Sequence, residues 1–177
     1  GFAATAAVSL ALGIGANAAI FTLLDQIVLR LLPVQDPRAL VQLQILGGRF
    51  GGNNGDGKGT FSHPLYLFLR DKNTTFSGLA GTVGMTANLI GVSRNETMQL
   101  NLVSGNYFDV LGVRPYLGRL LTPADDRARL ASPVIVLQYD YWLQHQGGDA
   151  RIVGQVLNLN GTPFTVIGVA APGFEGT

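Results

Sequence analysis

The first 24 residues, GFAATAAVSLALGIGANAAIFTLL, carry no charged side chain; the first charge is Asp25. Wound as a helix at about 1.5 Å per residue, such a run spans roughly 35 Å, enough for a hydrocarbon layer about 30 Å thick. The pattern predicts a membrane-spanning helix over about Phe2 to Leu24. Two other readings compete for the same residues. Gly13, Gly15 and Ala18 have the GxGxxA spacing of a dinucleotide-binding turn, which would make the chain a soluble nicotinamide-dependent oxidoreductase. That fingerprint needs a strand, a glycine turn and a helix, with an acidic residue about 20 positions on. Asp36 stands at that distance but lies between Pro33 and Pro37, where proline removes ladder donors and biases the preceding residue. Ala16-Asn17-Ala18 also resembles a signal-cleavage site, yet no basic residue precedes the apolar run.

The residues just beyond this run favour the membrane. Leu23, Leu24, Ile27, Val28, Leu31 and Leu32 recur at helical spacing opposite Asp25, Gln26 and Arg30, so the helix is expected to leave the bilayer as an amphipathic stalk ending before Pro33. Within the span, Ala3, Ala7, Ala11, Gly15 and Ala19 fall four apart and form a slowly drifting stripe of small side chains. Such a stripe lets a second helix approach closely. Ala7, Ala11 and Gly15 are therefore the candidate packing residues, and Asn17, costly to present to lipid, joins them as a group that prefers a bundle interior.

Composition excludes several functions. Twelve Lys and Arg against eleven Asp and Glu give a net charge of +1 with no block of one sign, which argues against a nucleic-acid partner. With no cysteine there are no disulfides, thiolate nucleophiles or cysteine-bound metals. His63 and His145 stand far apart and outside any HExxH spacing, so no metal site is expected.

Beyond Pro33 the patterns are mixed. Val41, Leu43 and Ile45 alternate with Gln42 and Gln44 as in a half-buried strand. Seven glycines then crowd between Gly47 and Gly59. Gly52, Gly57 and Lys58 satisfy GxxxxGK, but Gly59 stands where a phosphate loop needs Ser or Thr, and the stretch reads as a surface loop. Ser62 and Pro64 announce a helix with Leu65, Phe68 and Leu69 on its apolar face, ending near Asn73. Strands are predicted over about Thr82 to Ile90 and Thr97 to Ser104, joined by a turn at Ser93 to Glu96. A helical turn at Asn106 to Leu111 stops at Gly112, PVIVL is a short strand, and YDYWLQHQGG is a helix closed by its glycines. Two last strands, RIVGQVLNL and PFTVIGV, flank an Asn160-Gly161 hairpin turn. Without a steady βαβ rhythm the expected fold class is α+β.

A search for chemistry leaves little. Asp109, Asp125, Asp126 and Asp140 are the acidic groups worth testing as catalysts, but TPADD is a pattern in which carboxylates cap backbone amides. Ser62-His63 lacks the orienting third group a nucleophile and base require. No catalytic residue, cofactor or metal is predicted. A carrier holding an apolar ligand in its core stays open as an alternative.

Taken in order, ALGIGANAAIFTLLDQIVLRLLP, DPRALVQL, LFLRDKNTTFSGLAG, LVSGNYFDVLGVRPYLGRLLTPADD, VIVLQYDYWLQHQGGD and LNLNGTPFTVIGVAAPGF resemble the start of a bacterial FtsX/MacB-type ABC-transporter permease, closest in flavour to its duplicated orphan group. The resemblance covers nearly the whole chain, and SGNYFDVLGV with PYLGRLLTPADD is its specific part. Leu31 and Val34, Gln138, and His145-Gln146 depart mildly from the commoner forms. It implies a membrane helix and stalk over 1–32 and a MacB-like periplasmic core domain over 33–177, anchored in the bacterial inner membrane. It also implies a separate ABC ATPase, another permease copy or half, and an extracytoplasmic partner or substrate. ATP hydrolysis would then sit on another polypeptide and the role of this chain would be mechanical. The absence of an initial Met and the ending at GFEGT lead us to expect further chain on both sides.

Overall fold

The computed structural model describes residues 1–24, 34–43, 61–90, 95–127 and 133–176. The stalk predicted over 25–32, the glycine-rich loop with its GxxxxGK near miss, and Ser93 and Arg94 of the turn at Ser93 to Glu96 lie outside them. The chain divides into two compact units, Gly1–Leu32 and Pro33–Thr177.

In the first unit α1 (Phe2–Leu24) is one continuous helix. Gly13, Gly15 and Ala18 sit in its interior, so no strand runs into a glycine turn there and the nicotinamide-dependent reading loses its structural premise. Phe2–Phe21 is long and apolar enough to cross a membrane.

The second unit is α+β. Helix α2 (His63–Lys72) starts at Ser62, whose hydroxyl accepts from the Leu65 amide at 3.4 Å, with Pro64 in the first turn where its missing N–H costs nothing. It stops at Asn73, whose side-chain oxygen accepts from the Thr75 and Phe76 amides. The buried residue of this helix is Tyr66. Leu65 and Phe68, expected on the inner face, are exposed; the Tyr66 ring lies over Gly81 instead, where a Cβ would meet it at 3.4 Å.

Strands β1 (Thr82–Ile90) and β2 (Asn95–Val103) form the predicted hairpin, paired over their whole length. After α3 (Tyr107–Leu111), Gly112 closes the helix at φ 65°, a left-handed conformation in which glycine escapes the Cβ penalty. Strand β3 (Pro115–Gly118) was not expected from its short PYLG sequence. Then come β4 (Val134–Leu137), α4 (Tyr139–His145), β5 (Val156–Leu159) and β6 (Thr162–Ala170). Asn160 and Gly161 take φ 51° and 84°, the paired positive values of a tight hairpin turn. Two strand predictions need correction. Ala150–Ile152 is a 3-10 turn capped by the Asp149 carboxylate, which accepts from the Arg151 amide at 2.9 Å, so β5 begins later than RIVGQVLNL suggested. Residues 41–43 are described and are not in a strand, while Gln44 and Ile45, the rest of that alternation, lie outside the described residues.

The six-stranded sheet centres on β6. Its main path runs β2-β1-β5-β6-β3, antiparallel throughout, and β4 joins β6 in parallel. Thr165 has partners in both β4 and β5, while Gly168 and Val169 have partners in both β4 and β3. Hence β4 takes one edge of β6, and β5 and β3 follow one another along the other. Ile167 is the extra residue where the β4 pairing slips. Val166 and Val169 face a cluster with Leu137, Trp142 and Ile152 beneath α4. Ala170 instead joins Tyr107, Phe108, Leu111, Val113, Leu120 and Phe174 around α3. One strand thereby supplies both cores, which is why β6 reads as a near-continuous apolar run.

Candidate functional site

Where the chain enters the second unit, the short segment after Pro33 is tied to the end of α3. The Gln35 amide donates to the Leu111 carbonyl at 3.1 Å, occupying one of the acceptors a helix leaves open at its C-terminus. Gly112 lets the two backbones meet: a Cβ there would fall 2.5 Å from the Gln35 Cβ. Val34 and Leu40 pack on the aromatic cluster around α3, in which Phe108 and Phe174 lie 5.9 Å apart and Tyr107 meets Phe108 edge-on at 5.3 Å. A displacement of the incoming segment therefore acts directly on the core. Nothing in the sequence pointed to Gln35. Only the glycine closing DVLG carried a signal, and it was legible as a helix stop and not as a docking place.

The predicted packing residues all lie on α1. Ala7, Ala11, Gly15 and Asn17 are exposed, and a Cβ on Gly15 would meet nothing within 4 Å. At 3.6 residues per turn, Asn17 stands about 200° round the helix from Gly15, so it does not share their stripe. The helix is apolar all round, the property of a membrane span or a deeply buried helix, and its described side chains are exposed.

The acidic candidates serve structure. Asp125 forms a two-pronged pair with Arg119 at 2.7 and 2.8 Å and accepts from the Thr122 amide and hydroxyl, both at 2.9 Å. The Arg119 hydrogen bonds, outweighing burial, hold its carboxyl well below the usual carboxylate range. Asp126 accepts from the distant Gly105 amide at 3.1 Å; residues 123–126 form a turn and not the helix start that TPADD suggests. Asp140 and Asp109 occupy the first turns of α4 and α3, near the positive helix ends. Ser62 is a helix cap and the His63 ring lies 6.2 Å from Tyr66, so the pair is not a nucleophile with its base. His145 reaches Glu96 at 3.5 Å and stacks on Tyr141 at 4.5 Å. Burial, with the Glu96 charge adding to it, pushes the Tyr141 phenol up. Among the described residues no group of three His, Asp or Glu could hold a metal.

Structural roles that sequence reasoning missed belong to Arg119 and Trp142. Trp142 is buried, and its indole N–H donates to the Asp149 carbonyl at 3.0 Å. Tyr139 and Tyr116 close round it at 5.6 Å each. The polar hub at Ser104 is as local: its hydroxyl donates to the Asn106 side-chain oxygen at 2.8 Å and accepts from the Gly81 amide at 3.0 Å, closing the base of the β1–β2 hairpin.

The fold is similar to that of the periplasmic region of MacB from Actinobacillus actinomycetemcomitans, with a TM-score of 0.52 and 24% identity, over 62% of this chain and 50% of that one. The extracellular domain of the noncanonic ABC-type transporter YknZ from Gram-positive bacteria matches with a TM-score of 0.46 and 19% identity, over 54% of this chain and 49% of that one. The chain thus spans about half the length of each. No curated protein matches it. The family described as the MacB-like periplasmic core domain matches residues 3–177, and with a match over nearly its whole length the chain belongs to that family.

Proposed function

We propose that this chain is the N-terminal part of a bacterial ABC-transporter permease, non-catalytic itself, that passes ATP-driven motion of a separate ATPase to an extracytoplasmic substrate or partner. In this reading residues 1–32 are the inner-membrane helix and its stalk, and residues 33–177 are the periplasmic domain. Its main support is that a chain matched by the MacB-like periplasmic core domain family over residues 3–177 opens with a helix that is apolar all round and long enough to span a bilayer. The anchor at Gln35, Leu111 and Gly112 gives such motion a stiff path into the domain, since packed interiors transmit strain. Ala7, Ala11 and Gly15 pack against another helix of the complete permease or its second copy. Asn17, on a different side, faces the bundle interior.

Two measurements test this. Topology reporters fused after Leu40 in the intact gene should report an extracytoplasmic position; a cytoplasmic signal ends the reading. In the complete permease, Gly15→Leu should separate the helices and abolish transport or partner-dependent export, whereas Leu at the neighbouring Ile14 should be nearly silent. Intact function in Gly15→Leu would reduce the stripe to composition.

A further inference from the structure

Two segments far apart in the chain close on the same short helix. The first, entering from Pro33, holds the C-terminal end of α3 through the Gln35 amide and lays Val34 and Leu40 on the cluster around it. The second follows β6. There Ala171-Pro172-Gly173-Phe174 makes a turn in which proline takes the second position, Gly173 adopts φ 78°, and the Phe174 amide donates back to the Ala171 carbonyl at 3.2 Å. The turn returns the Phe174 ring to α3, where it lies 5.9 Å from Phe108 and 6.3 Å from Tyr107 and is only 5% exposed. Further on, a Cβ at Gly176 would come within 3.9 Å of the Tyr107 hydroxyl, so the backbone still runs beside α3. The helix between the two segments has five residues. A helix of that length has almost no stability of its own, so its place is set by what grips it. The Phe108 carbonyl accepts from the Gly112 and Val113 amides, so the residue whose ring meets Phe174 is bonded to the turn that meets Gln35.

We propose that α3 couples these two segments, so that the chain entering the domain and the chain after β6 shift together and not independently. A segment held at one point transmits tension and swivels about its backbone dihedrals. One held by a backbone bond and by packed side chains also transmits tilt, because close-packed groups pass on strain. The entering segment has both kinds of hold, and Phe174 has its turn and its ring contacts. A displacement of Gln35 thus reaches Phe174 through a single helical turn without crossing the sheet. The β1–β2 hairpin lies off this route; it meets the cluster at its base, through Ala80 and Val103. The core under α4, with Trp142 and Ile152, shares no buried residue with the cluster around α3 and supplies an internal control. That the coupling serves transport rests on the mechanical reading above, whereas the coupling itself does not.

Native-state hydrogen exchange of the full chain in detergent reads this coupling, because each segment carries a reporter amide: Gln35, bonded to Leu111, and Phe174, bonded to Ala171. Phe174→Leu keeps an apolar side chain but loses the ring contacts. The Gln35 amide should then exchange roughly tenfold faster, within the range of coupling between residues that share partners. In the reverse direction Gly112→Ala, which displaces Gln35, should speed exchange of the Phe174 amide by a similar factor. Ile152→Val, in the core under α4, should leave both reporters unchanged. An unchanged Gln35 amide in Phe174→Leu overturns the proposal, because the segments are then disconnected. Equal acceleration of both reporters by Ile152→Val overturns it too, because the response is then global. Should Phe174→Leu impair folding, Gly112→Ala read at Phe174 carries the same test. A cytoplasmic signal from the topology reporters would end the transport reading and leave these exchange rates as they are, whereas uncoupled rates leave that reading standing without this route.

Discussion

Replacing Gly112 by alanine probes the anchor at its tightest point. At φ 65° a side chain enters the left-handed region, which costs about 1–2 kcal/mol for an ordinary residue. The new Cβ would also sit 2.5 Å from the Gln35 Cβ and 2.7 Å from its Oε1. Two backbone-tethered carbons cannot swing apart, so Gln35 must shift, and its 3.1 Å bond to the Leu111 carbonyl goes with it. That loss adds about 1 kcal/mol. The total, about 2–3 kcal/mol, is a large share of the roughly 5–15 kcal/mol that holds a domain together. The readout is denaturant unfolding of the intact chain in detergent, followed by the fluorescence of Trp142. This is the only tryptophan, and it is buried in the cluster under α4, away from the anchor. The midpoint should fall at unchanged slope. Gly112→Asn should cost less, because asparagine tolerates left-handed φ while keeping the clash. Gln35→Gly removes the opposing Cβ, so the double variant should lose less than the two single losses summed. A midpoint within about 0.5 kcal/mol of the natural chain, or strict additivity, would refute close contact between the incoming segment and the end of α3.

Two further substitutions test the domain elsewhere. Because Arg119 holds the Asp125 carboxyl below its ordinary range, the stabilisation is present above the unfolded pKa of about 4 and fades as pH falls through the depressed folded value. Asp125→Asn should therefore flatten the acid limb of the thermal stability profile and cost about 1–2 kcal/mol at neutral pH, a figure discounted because Arg119 is half exposed; an unchanged acid limb counts against the pair. Gly168→Ala would bring a Cβ to 2.6 Å from the Leu117 carbonyl and 2.8 Å from the Arg119 amide, both backbone, so β3 must leave β6. A loss of about 3 kcal/mol is expected in the same denaturation assay. Gly84→Ala, whose Cβ meets only the Asn101 side chain at 3.6 Å, should be neutral or slightly stabilising, and equal losses at the two glycines would defeat the argument.

The elements that could be read from the sequence are those whose determinants are local. An uncharged run of 24 residues makes α1 whatever surrounds it, Ser62 with Pro64 starts α2, Gly112 stops α3, and Asn160-Gly161 turns β5 into β6. The alternation of Met98, Leu100 and Leu102 with Gln99 and Asn101 likewise marks β2, since a strand's two faces are written in its own residues. Other features depend on residues distant in the chain. Four residues at PYLG become β3 only because β6 offers a free stretch of edge beyond β5 and because Gly168 lets the strands close. Val41 and Leu43 alternate as well as any strand, yet residues 41–43 are not in one, while Gln44 and Ile45 lie outside the described residues. On α2 the periodicity named Leu65 and Phe68 as inner residues, whereas Tyr66 is the one covered, because its ring fits over Gly81 and its hydroxyl donates to Asn106 at 3.3 Å. The anchor is the extreme case. Gln35 and Gly112 are 77 positions apart in sequence, and nothing in either neighbourhood anticipates their contact. Local chemistry decides which conformation a segment prefers, but which segments meet is decided by the packing of the whole chain.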